Sequence, residues 1–294
     1  MPPGPAFIAR RVEFAIAAAT PVRARPPDSA AVEVWRDVRG IACAFSYTAG
    51  GYAWMEMPGA ATFRFDARRL SVTAYPEPGV QCGLVEAAYR HAALPVALHY
   101  FGAEVLHASA IRASTGVVVF CAVSETGKST MAAAFGARGY PLWADDAVAI
   151  EAEDGAPNKT IRLPFDLRLR AASAAHLGRA PARAGAAHEF ATSPLAALCV
   201  LERAEPVRGD VSVERLSAGR ALAALLPHAF SFSLKDEARK RLTLRRYLHL
   251  AARTPVFRVA FAAGFERLPA VLDAIEQTVA GFAPDESARE AAAL

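Results

Sequence analysis

The segment Val117-Val-Val-Phe-Cys-Ala-Val-Ser-Glu-Thr-Gly-Lys-Ser-Thr130 carries the most specific signal in this sequence. An apolar run typical of buried strands enters a loop, and a helix is predicted to begin near Lys128. The loop fits the pattern A-x-x-x-x-G-K-S, a phosphate-binding loop (P-loop) with Ala122 in place of the first glycine. Backbone N–H groups of such a loop and the positive end of the following helix bind phosphate oxygens. The segment therefore predicts a nucleotide site.

The loop segment, defined here as residues 122–130, is predicted to hold the phosphates. Lys128 would reach the β- and γ-phosphates, and the Ser129 hydroxyl would ligate Mg²⁺. Glu125 stands where glycine is common, but its side chain can point outward, so we do not interpret it as inactivating. The predicted nucleotide-binding residues are Ala122, Val123, Ser124, Glu125, Thr126, Gly127, Lys128, Ser129 and Thr130.

Two adjacent aspartates and a histidine complete the candidate site. Asp145 and Asp146 follow the apolar run 140–144, and an acid at a strand end beside a P-loop is where a Mg²⁺-binding carboxylate belongs. Two acids allow two roles, because one can hold the metal while the other accepts a proton from an attacking hydroxyl. A solvated turn is the alternative. His107 lies on a predicted strand ahead of the P-loop strand, either as a structural residue or as part of the site.

A β-rich N-terminal domain is predicted over residues 1–100. Aromatic residues in alternation, with turn signals at Gly50-Gly51 and Pro58-Gly59, indicate short strands. Residues 81–100 predict a linking helix, with Pro95 as a kink or boundary. The predicted strands are residues 42–47, 52–56, 62–66 and 70–74.

A P-loop domain is predicted over residues 101–284, with a flexible tail over residues 285–294. Apolar strand-like runs alternate here with alanine-rich helical runs, which is typical of α/β proteins. Residues 173–190 lack periodicity and predict a mobile surface loop. The predicted strands are 117–121, 141–150, 195–201, 211–216 and 256–261, and the predicted helices are 128–138, 218–226, 235–253 and 265–279.

The composition excludes several classes of protein. The 294 residues are 53% hydrophobic and 21% charged, which allows a sizeable core and excludes a mostly disordered chain. The net charge of +4 is too small to indicate a nucleic-acid-binding protein. Four widely spaced cysteines without a C-x-x-C pair favour a cytoplasmic protein with reduced thiols over a zinc or disulfide framework. No apolar run is long enough to span a membrane, and Glu13 interrupts a short signal-like run.

The order of the motifs resembles a known superfamily. Residues 106–150 contain L-H-A-S-A, V-V-V-F, the P-loop and G-Y-P-L-W-A-D-D-A-V-A-I in succession. This order resembles the core of the HPr kinase/phosphorylase serine kinases and of ATP-dependent phosphoenolpyruvate carboxykinase. Residues 254–259 and 265–275 look like the end of shorter HPr-kinase-like proteins, some of which phosphorylate lasso-peptide precursors on serine. The resemblance implies an α/β fold with this P-loop core and an N-terminal β-rich domain.

The resemblance also implies individual roles. Lys128 would bind phosphate, and Ser129 and Asp146 would bind the metal. Asp145 would act as the base, and His107 would lie beside the γ-phosphate or a metal. These assignments make Lys128, His107, Asp145 and Asp146 the predicted catalytic residues.

The chain departs from the family after the two aspartates. Ile161-Arg-Leu-Pro-Phe-Asp-Leu-Arg-Leu-Arg170 stands in place of the glutamate- and glycine-rich signature of true HPr kinases. This departure puts HPr as substrate, phosphorolysis and hexameric assembly in doubt. The chain is also too short for a carboxykinase.

A run of cations on the predicted helix 235–253 has two interpretations. Its side chains could contact a nucleotide, a transferring phosphoryl group or an acidic peptide, or they could form a solvated helix face. Nucleic-acid binding is disfavoured because no groove-reading motif accompanies them. The cations are Arg239, Lys240, Arg241, Arg245 and Arg246.

The sequence therefore predicts a kinase that uses ATP and Mg²⁺ to phosphorylate a Ser or Thr hydroxyl of a peptide or small protein, such as a lasso-peptide precursor. The predicted partners are a nucleotide and this acceptor, without nucleic acid or membrane, and a homo-oligomer is left open. One alternative is a kinase for a small metabolite, with the N-terminal domain as its lid. Another is a regulatory module that binds ATP and performs no chemistry.

Overall fold

The computed structural model describes residues 8–9, 11–17, 33–36, 39–152, 156–178, 190–204, 211–232 and 237–279. The backbone divides into two units, one of Met1–Val105 with Phe230–Thr243 and one of Leu106–Ala229 with Leu244–Leu294. The predicted boundary after residue 100 lies close to this division, but the later segment Phe230–Thr243 was not predicted to join the first unit. The predicted tail, residues 285–294, lies outside the described residues.

The described part of the first unit contains a six-stranded sheet. Its strands are β1 (Glu13–Ile16), β2 (Glu33–Arg36), β3 (Ala42–Ala49), β4 (Tyr52–Met57), β5 (Ala61–Asp66) and β6 (Ser71–Pro76). Their order is β1-β6-β5-β4-β3-β2. Strand β1 runs parallel to β6, and the other neighbours are antiparallel. The four strands predicted between residues 42 and 74 are confirmed with slightly different ends.

A helical segment follows this sheet. It consists of α1 (Cys82–Ala88), a π-helical turn (Tyr89–Ala93) and α2 (Leu94–Phe101). Pro95 lies at the start of α2, which directly follows the π-helical turn, and the residues before it have helical backbone angles. Because proline has no N–H, it interrupts the regular hydrogen bonding of the helix at this point. The rings of Phe65 and Tyr100 pack 6.3 Å apart, which joins α2 to the sheet. The helical character predicted for residues 81–100 is thus confirmed, and β7 (Glu104–Leu106) comes next along the chain.

A mixed sheet runs through the second unit. The strands of this sheet that lie wholly within the second unit are β8 (Ala108–Ala113), β9 (Gly116–Cys121), β10 (Leu142–Ala144), β11 (Val148–Glu151), β12 (Lys159–Ile161), β13 (Thr192–Arg203), β14 (Val211–Arg215) and β15 (Val256–Phe261). Strand β9 lies between antiparallel β8 and parallel β13, and β13 also pairs in parallel with β15. Strand β9 is therefore central, and all six of its residues are buried.

Helices pack on both faces of this sheet. They are α3 (Lys128–Ala137), α4 (Ala171–Leu177), α5 (Ala218–Leu225), α6 (Glu237–Arg253) and α7 (Leu268–Thr278), with 3-10 turns at Leu226–His228 and Phe265–Arg267. Because successive strand residues point to opposite faces, Phe120 packs with Phe135 of α3, whereas Val119 packs with Leu225 of α5 and Leu250 of α6. The predicted α/β class is confirmed.

Some predicted elements differ from the structure. The strand predicted over residues 141–150 is wrong as a single element, because the chain turns after Ala144 and resumes as β11. The loop predicted over 173–190 begins with the last turns of α4, and residues 179–189 lie outside the described residues. The first residues of the helix predicted over 235–253 also lie outside them. In the described part of the chain, no helix has the length and apolarity needed to cross a membrane.

Candidate functional site

The loop segment connects β9 to α3. Its backbone adopts the left-handed conformation at Glu125 (φ 72°) and at Gly127 (φ 119°), the residue that caps the start of α3. A Cβ at Gly127 would meet no neighbouring atom, so the glycine is favoured there by its backbone angle rather than by lack of space. The Thr126 N–H donates to the Val123 carbonyl at 3.4 Å, which closes the turn.

Lys128 lies inside this loop. Its side chain is buried, and Nζ donates a hydrogen bond to the Ala122 carbonyl at 2.9 Å. Burial lowers the pKa of Lys128, while the carboxylates of Asp145 and Asp146 oppose that shift. An ammonium has three N–H donors, so the bond to Ala122 leaves donors that can bind a phosphate. The arrangement fixes one positive charge at the start of α3.

Asp145 is buried and accepts hydrogen bonds from three groups. Its Oδ1 accepts hydrogen bonds from the Ser109 hydroxyl at 2.5 Å and from the Ser129 hydroxyl at 2.8 Å. Its Oδ2 accepts a hydrogen bond from the backbone N–H of Arg168 at 3.0 Å. Burial and the charge of Asp146 raise the pKa of Asp145, and these three bonds oppose the shift. Because Ser129 donates its proton to Asp145, the lone pairs of the Ser129 oxygen are available to a cation.

Asp146 lies at the apex of a three-residue turn. The Ala147 N–H donates to the Asp145 carbonyl at 2.9 Å, and Asp146 has a φ of 65°, which are features of a γ-turn. The turn ends β10 and directs the two carboxylates into different surroundings. Asp145 is buried between β8 and α3, whereas Asp146 lines the cavity described below.

His107 contacts the same turn. Its Nδ1 lies 3.0 Å from the Asp146 carbonyl, and because a carbonyl only accepts, Nδ1 carries the proton. Its backbone N–H donates to the His228 carbonyl at 2.7 Å. Burial, and then the charge of Lys128, lower the pKa of His107, while the charge of Asp146 and the hydrogen bond to its carbonyl oppose that shift.

A cavity of about 540 Å³ lies over the loop segment within the second unit. That volume suits one small ligand. Of the predicted site residues, the cavity is lined by His107, Ser124, Glu125, Thr126, Gly127, Lys128, Ser129, Thr130 and Asp146. The other predicted residues, Ala122, Val123 and Asp145, do not line it; Ala122 and Asp145 are buried and contact residues that do.

Several cavity residues were not predicted from the sequence. Three arginines line it, Arg168, Arg170 and Arg203, and an apolar edge is formed by Phe261, Phe265 and Leu268. A signal for two of these arginines was visible in the sequence, because Arg168 and Arg170 belong to the arginine-rich run Ile161–Arg170 that follows the aspartates. The sequence around Arg203 contains no motif that could have identified it. Phe265 begins the run 265–275 that the sequence analysis singled out by resemblance, but no role in the site was predicted for it.

His228 is a further residue that the sequence did not identify. It is buried, and burial together with the charges of Lys128 and His107 lowers its pKa to about 4. It follows Leu226-Pro227 in a 3-10 turn, outside any recognisable motif.

The cations of α6 do not line the cavity. Arg239 instead pairs with buried Glu104 at 3.0 Å and donates to the Ala103 carbonyl at 2.6 Å, both within the first unit. Its Nε also lies 3.3 Å from Nε2 of His99. Internal partners thus hold the Arg239 guanidinium, for which the sequence left open a contact with a ligand or a place on a solvated helix face.

A divalent cation at this site would need oxygen ligands in the cavity wall or directly behind it. Among the described residues, no group of three His, Cys, Asp or Glu side chains could hold a metal by itself. Mg²⁺ in nucleotide sites is commonly held by one or two protein oxygens together with phosphate oxygens and water. The adjoining Ser129 hydroxyl and Asp145 carboxylate fit that limited protein contribution.

Comparisons with known proteins give a distant structural likeness. No protein-family model matches the chain, and no curated protein matches it. Among solved structures, it is similar to the Hpr(Ser) kinase/phosphatase from Coxiella burnetii, with 12% sequence identity and a TM-score of 0.35. The similarity covers 59% of this chain and 88% of that chain. This likeness is too distant to transfer an activity.

Proposed function

We propose that this chain is an ATP- and Mg²⁺-dependent kinase that transfers the γ-phosphoryl group to a Ser or Thr hydroxyl of a peptide or small protein. The observation that carries this proposal is the 2.8 Å hydrogen bond from Ser129 to Asp145. This bond joins a hydroxyl at the start of α3 to the carboxylate that directly follows β10. Both groups lie beside the buried Lys128 and the cavity. This combination is what phosphoryl transfer from a nucleotide requires.

The phosphates would bind at the loop segment. The backbone N–H groups at the start of α3 and the Lys128 ammonium supply positive potential at one end of the cavity. Arg168 and Arg203, which line the same cavity, add cations that can stabilise charge on a transferring group. The apolar edge at Phe261 and Phe265 offers a surface for the nucleoside.

Ser129 and Asp145 would hold Mg²⁺, which reverses the assignment suggested by the family resemblance. Asp145 touches Ser129, whereas Asp146 faces the cavity. When bound, Mg²⁺ would neutralise charge on the phosphates. Ser109 and the Arg168 N–H orient the Asp145 carboxylate for this role.

Asp146 would act as the base. Its place on the cavity wall lets its carboxylate accept the proton of an acceptor hydroxyl while the oxygen forms its bond to the γ-phosphorus and ADP departs. The His107 ring holds the Asp146 carbonyl, so it would position the turn rather than exchange protons. A cytoplasmic location belongs to this proposal, because all four cysteines are free thiols.

The test is transfer of label from γ-labelled ATP, in the presence of Mg²⁺, to a panel of serine- and threonine-containing peptides. We expect label on a peptide with wild-type protein and none with Lys128→Ala. Label on a small metabolite instead would favour the metabolite kinase. Tight ATP binding without any labelled product would favour the regulatory module and contradict the kinase.

A further inference from the structure

Glu125 and Arg170 form an ion pair at the mouth of the cavity. Glu125 is in the loop segment, and Arg170 directly precedes α4. Nη2 of Arg170 donates to Oε1 of Glu125, and both residues line the cavity. The pair thus joins two segments that are far apart in sequence.

The two members of the pair come from different features of the sequence. Glu125 stands where phosphate loops commonly have glycine, and Arg170 ends the arginine-rich segment Ile161–Arg170. The side chains are 48% and 68% exposed, and exposed ion pairs contribute little to folding stability. The effect of this pair is therefore expected at the site rather than in the stability of the fold.

The charge of Glu125 opposes phosphate binding unless it is neutralised. The hydrogen bond and charge of Arg170, with a smaller contribution from Arg203, lower the pKa of Glu125, so the carboxylate is ionised at neutral pH. A phosphate chain on the loop amides and Lys128 would meet that negative charge at close range. Arg170 supplies the matching positive charge and holds the carboxylate on its own side of the cavity.

We propose that Arg170 is a positioning residue for polyphosphate binding, and that the loop tolerates Glu125 because Arg170 neutralises and restrains it. This inference rests on the proposed function, since the polyphosphate is that of ATP. It makes the two residues interdependent, so the net charge of the pair, and not either residue alone, sets the affinity of the site.

A double-mutant cycle on ATP affinity tests this dependence. Affinity would be measured by titration calorimetry with Mg²⁺ present, for the wild type, Arg170→Ala, Glu125→Gln and the double variant. Arg170→Ala leaves a net negative charge and should weaken binding by about tenfold or more. Glu125→Gln leaves a net positive charge and should tighten binding, while the double variant should return to within about threefold of the wild type. Arg170→Lys keeps the charge and should stay much closer to the wild type than Arg170→Ala does.

Two results would overturn the inference. One is a double variant that binds as weakly as Arg170→Ala, because Arg170 would then act on the ligand directly. The other is unchanged affinity in Arg170→Ala. Arg220→Ala is the matched control, since Arg220 pairs with Glu214 at similar exposure and neither residue lines the cavity; its ATP affinity should equal that of the wild type.

The wild-type and Lys128→Ala proteins separate this inference from the proposed function. If wild-type protein does not bind ATP, the proposed function fails and the inference fails with it. If wild-type protein binds ATP, Lys128→Ala does not, and the cycle shows no coupling, the inference alone is overturned.

Discussion

Adjacent aspartates occupy different environments in this protein. The sequence predicted that Asp145 and Asp146 belong to the site, because two acids followed an apolar run after a P-loop pattern. The family resemblance gave the base to Asp145 and the metal to Asp146, but the residues themselves do not assign these roles. Strand alternation places the two side chains on opposite faces without indicating which face borders the cavity. The γ-turn at Asp146, with its φ of 65°, is what buries Asp145 against Ser129 and leaves Asp146 on the cavity wall.

The two aspartates should therefore respond differently to removal of their charge. Asp146→Asn should lower the rate of phosphoryl transfer by about 10²- to 10⁴-fold, the usual contribution of a general base, with little change in the Mg²⁺ requirement. Asp145→Asn should instead raise the Mg²⁺ concentration needed for half-maximal transfer. Initial rates at varied Mg²⁺ measure both effects. Asp273→Asn, at an exposed ion pair on α7, is the control; equal Mg²⁺ responses in the two site variants would contradict the division of roles.

His228 gives the second residue-scale prediction. Its pKa is 6.5 ordinarily and about 4 in the folded chain. The His228 ring therefore takes up a proton at a higher pH in the unfolded chain than in the folded chain. The stability that His228 contributes is full above pH 6.5 and is lost as the pH falls toward 4, by up to about 1.4 kcal/mol per pH unit.

The pH dependence of denaturant unfolding between pH 7 and pH 4.5 measures this contribution. His228→Gln should unfold with a shallower dependence on pH than the wild type, whatever its absolute stability. Parallel curves for the two proteins would show that His228 does not titrate as proposed.

At the scale of elements, the sequence predicted β9, α3 and most of the other elements. It missed the break between β10 and β11, because the apolar residues before Asp145 and after Asp146 together resemble one continuous strand. The short helix α4 was missed for the opposite reason, since its alanine-rich sequence lacks a clear apolar face. Both misses follow from backbone turns and packing that are not encoded in local periodicity.

Gly116, at the start of β9, gives the element-scale prediction. It has a φ of 137°, and a Cβ there would lie 2.4 Å from the Pro194 carbonyl oxygen of the neighbouring strand. Gly116→Ala should therefore lower the free energy of unfolding by at least about 2 kcal/mol through backbone strain and the close contact. Urea unfolding measures the loss.

Gly219→Ala is the matched control. Gly219 lies in α5, and a Cβ there would meet no neighbouring atom. Because alanine is the better helix former, this variant should be as stable as the wild type or up to about 1 kcal/mol more stable. Equal stability of the Gly116 and Gly219 variants would contradict the proposed role of Gly116.

At the scale of the whole molecule, the sequence predicted an N-terminal β-rich part and a later α/β part. It did not predict that Phe230–Thr243 belongs with the first unit. The reason is that the contacts are specific and long-range: buried Glu104 pairs with Arg239, and the Phe232 N–H donates to Nδ1 of His99 at 3.1 Å. A run of cations in a helix is typical of a solvated face as well as of ion pairs with distant residues. It therefore does not identify Glu104 as the partner of Arg239.

The pair between Glu104 and Arg239 should stabilise the first unit. Arg239→Ala leaves the buried Glu104 carboxylate without its cation, which costs about 3–5 kcal/mol in comparable cases. Arg241→Ala, at an exposed position of the same helix, should change stability by less than about 0.5 kcal/mol. Thermal unfolding followed by circular dichroism compares them, and similar losses in both variants would contradict the structural role of Arg239.

The most direct test of the central proposal is calorimetric titration of ATP into the wild type and into Lys128→Ala, each with and without Mg²⁺. The proposal predicts saturable binding at one site per chain in the wild type, strengthened by Mg²⁺, and its loss in Lys128→Ala. Absence of ATP binding by the wild type, or equal binding by the two proteins, would contradict the assignment of a nucleotide site to the loop segment.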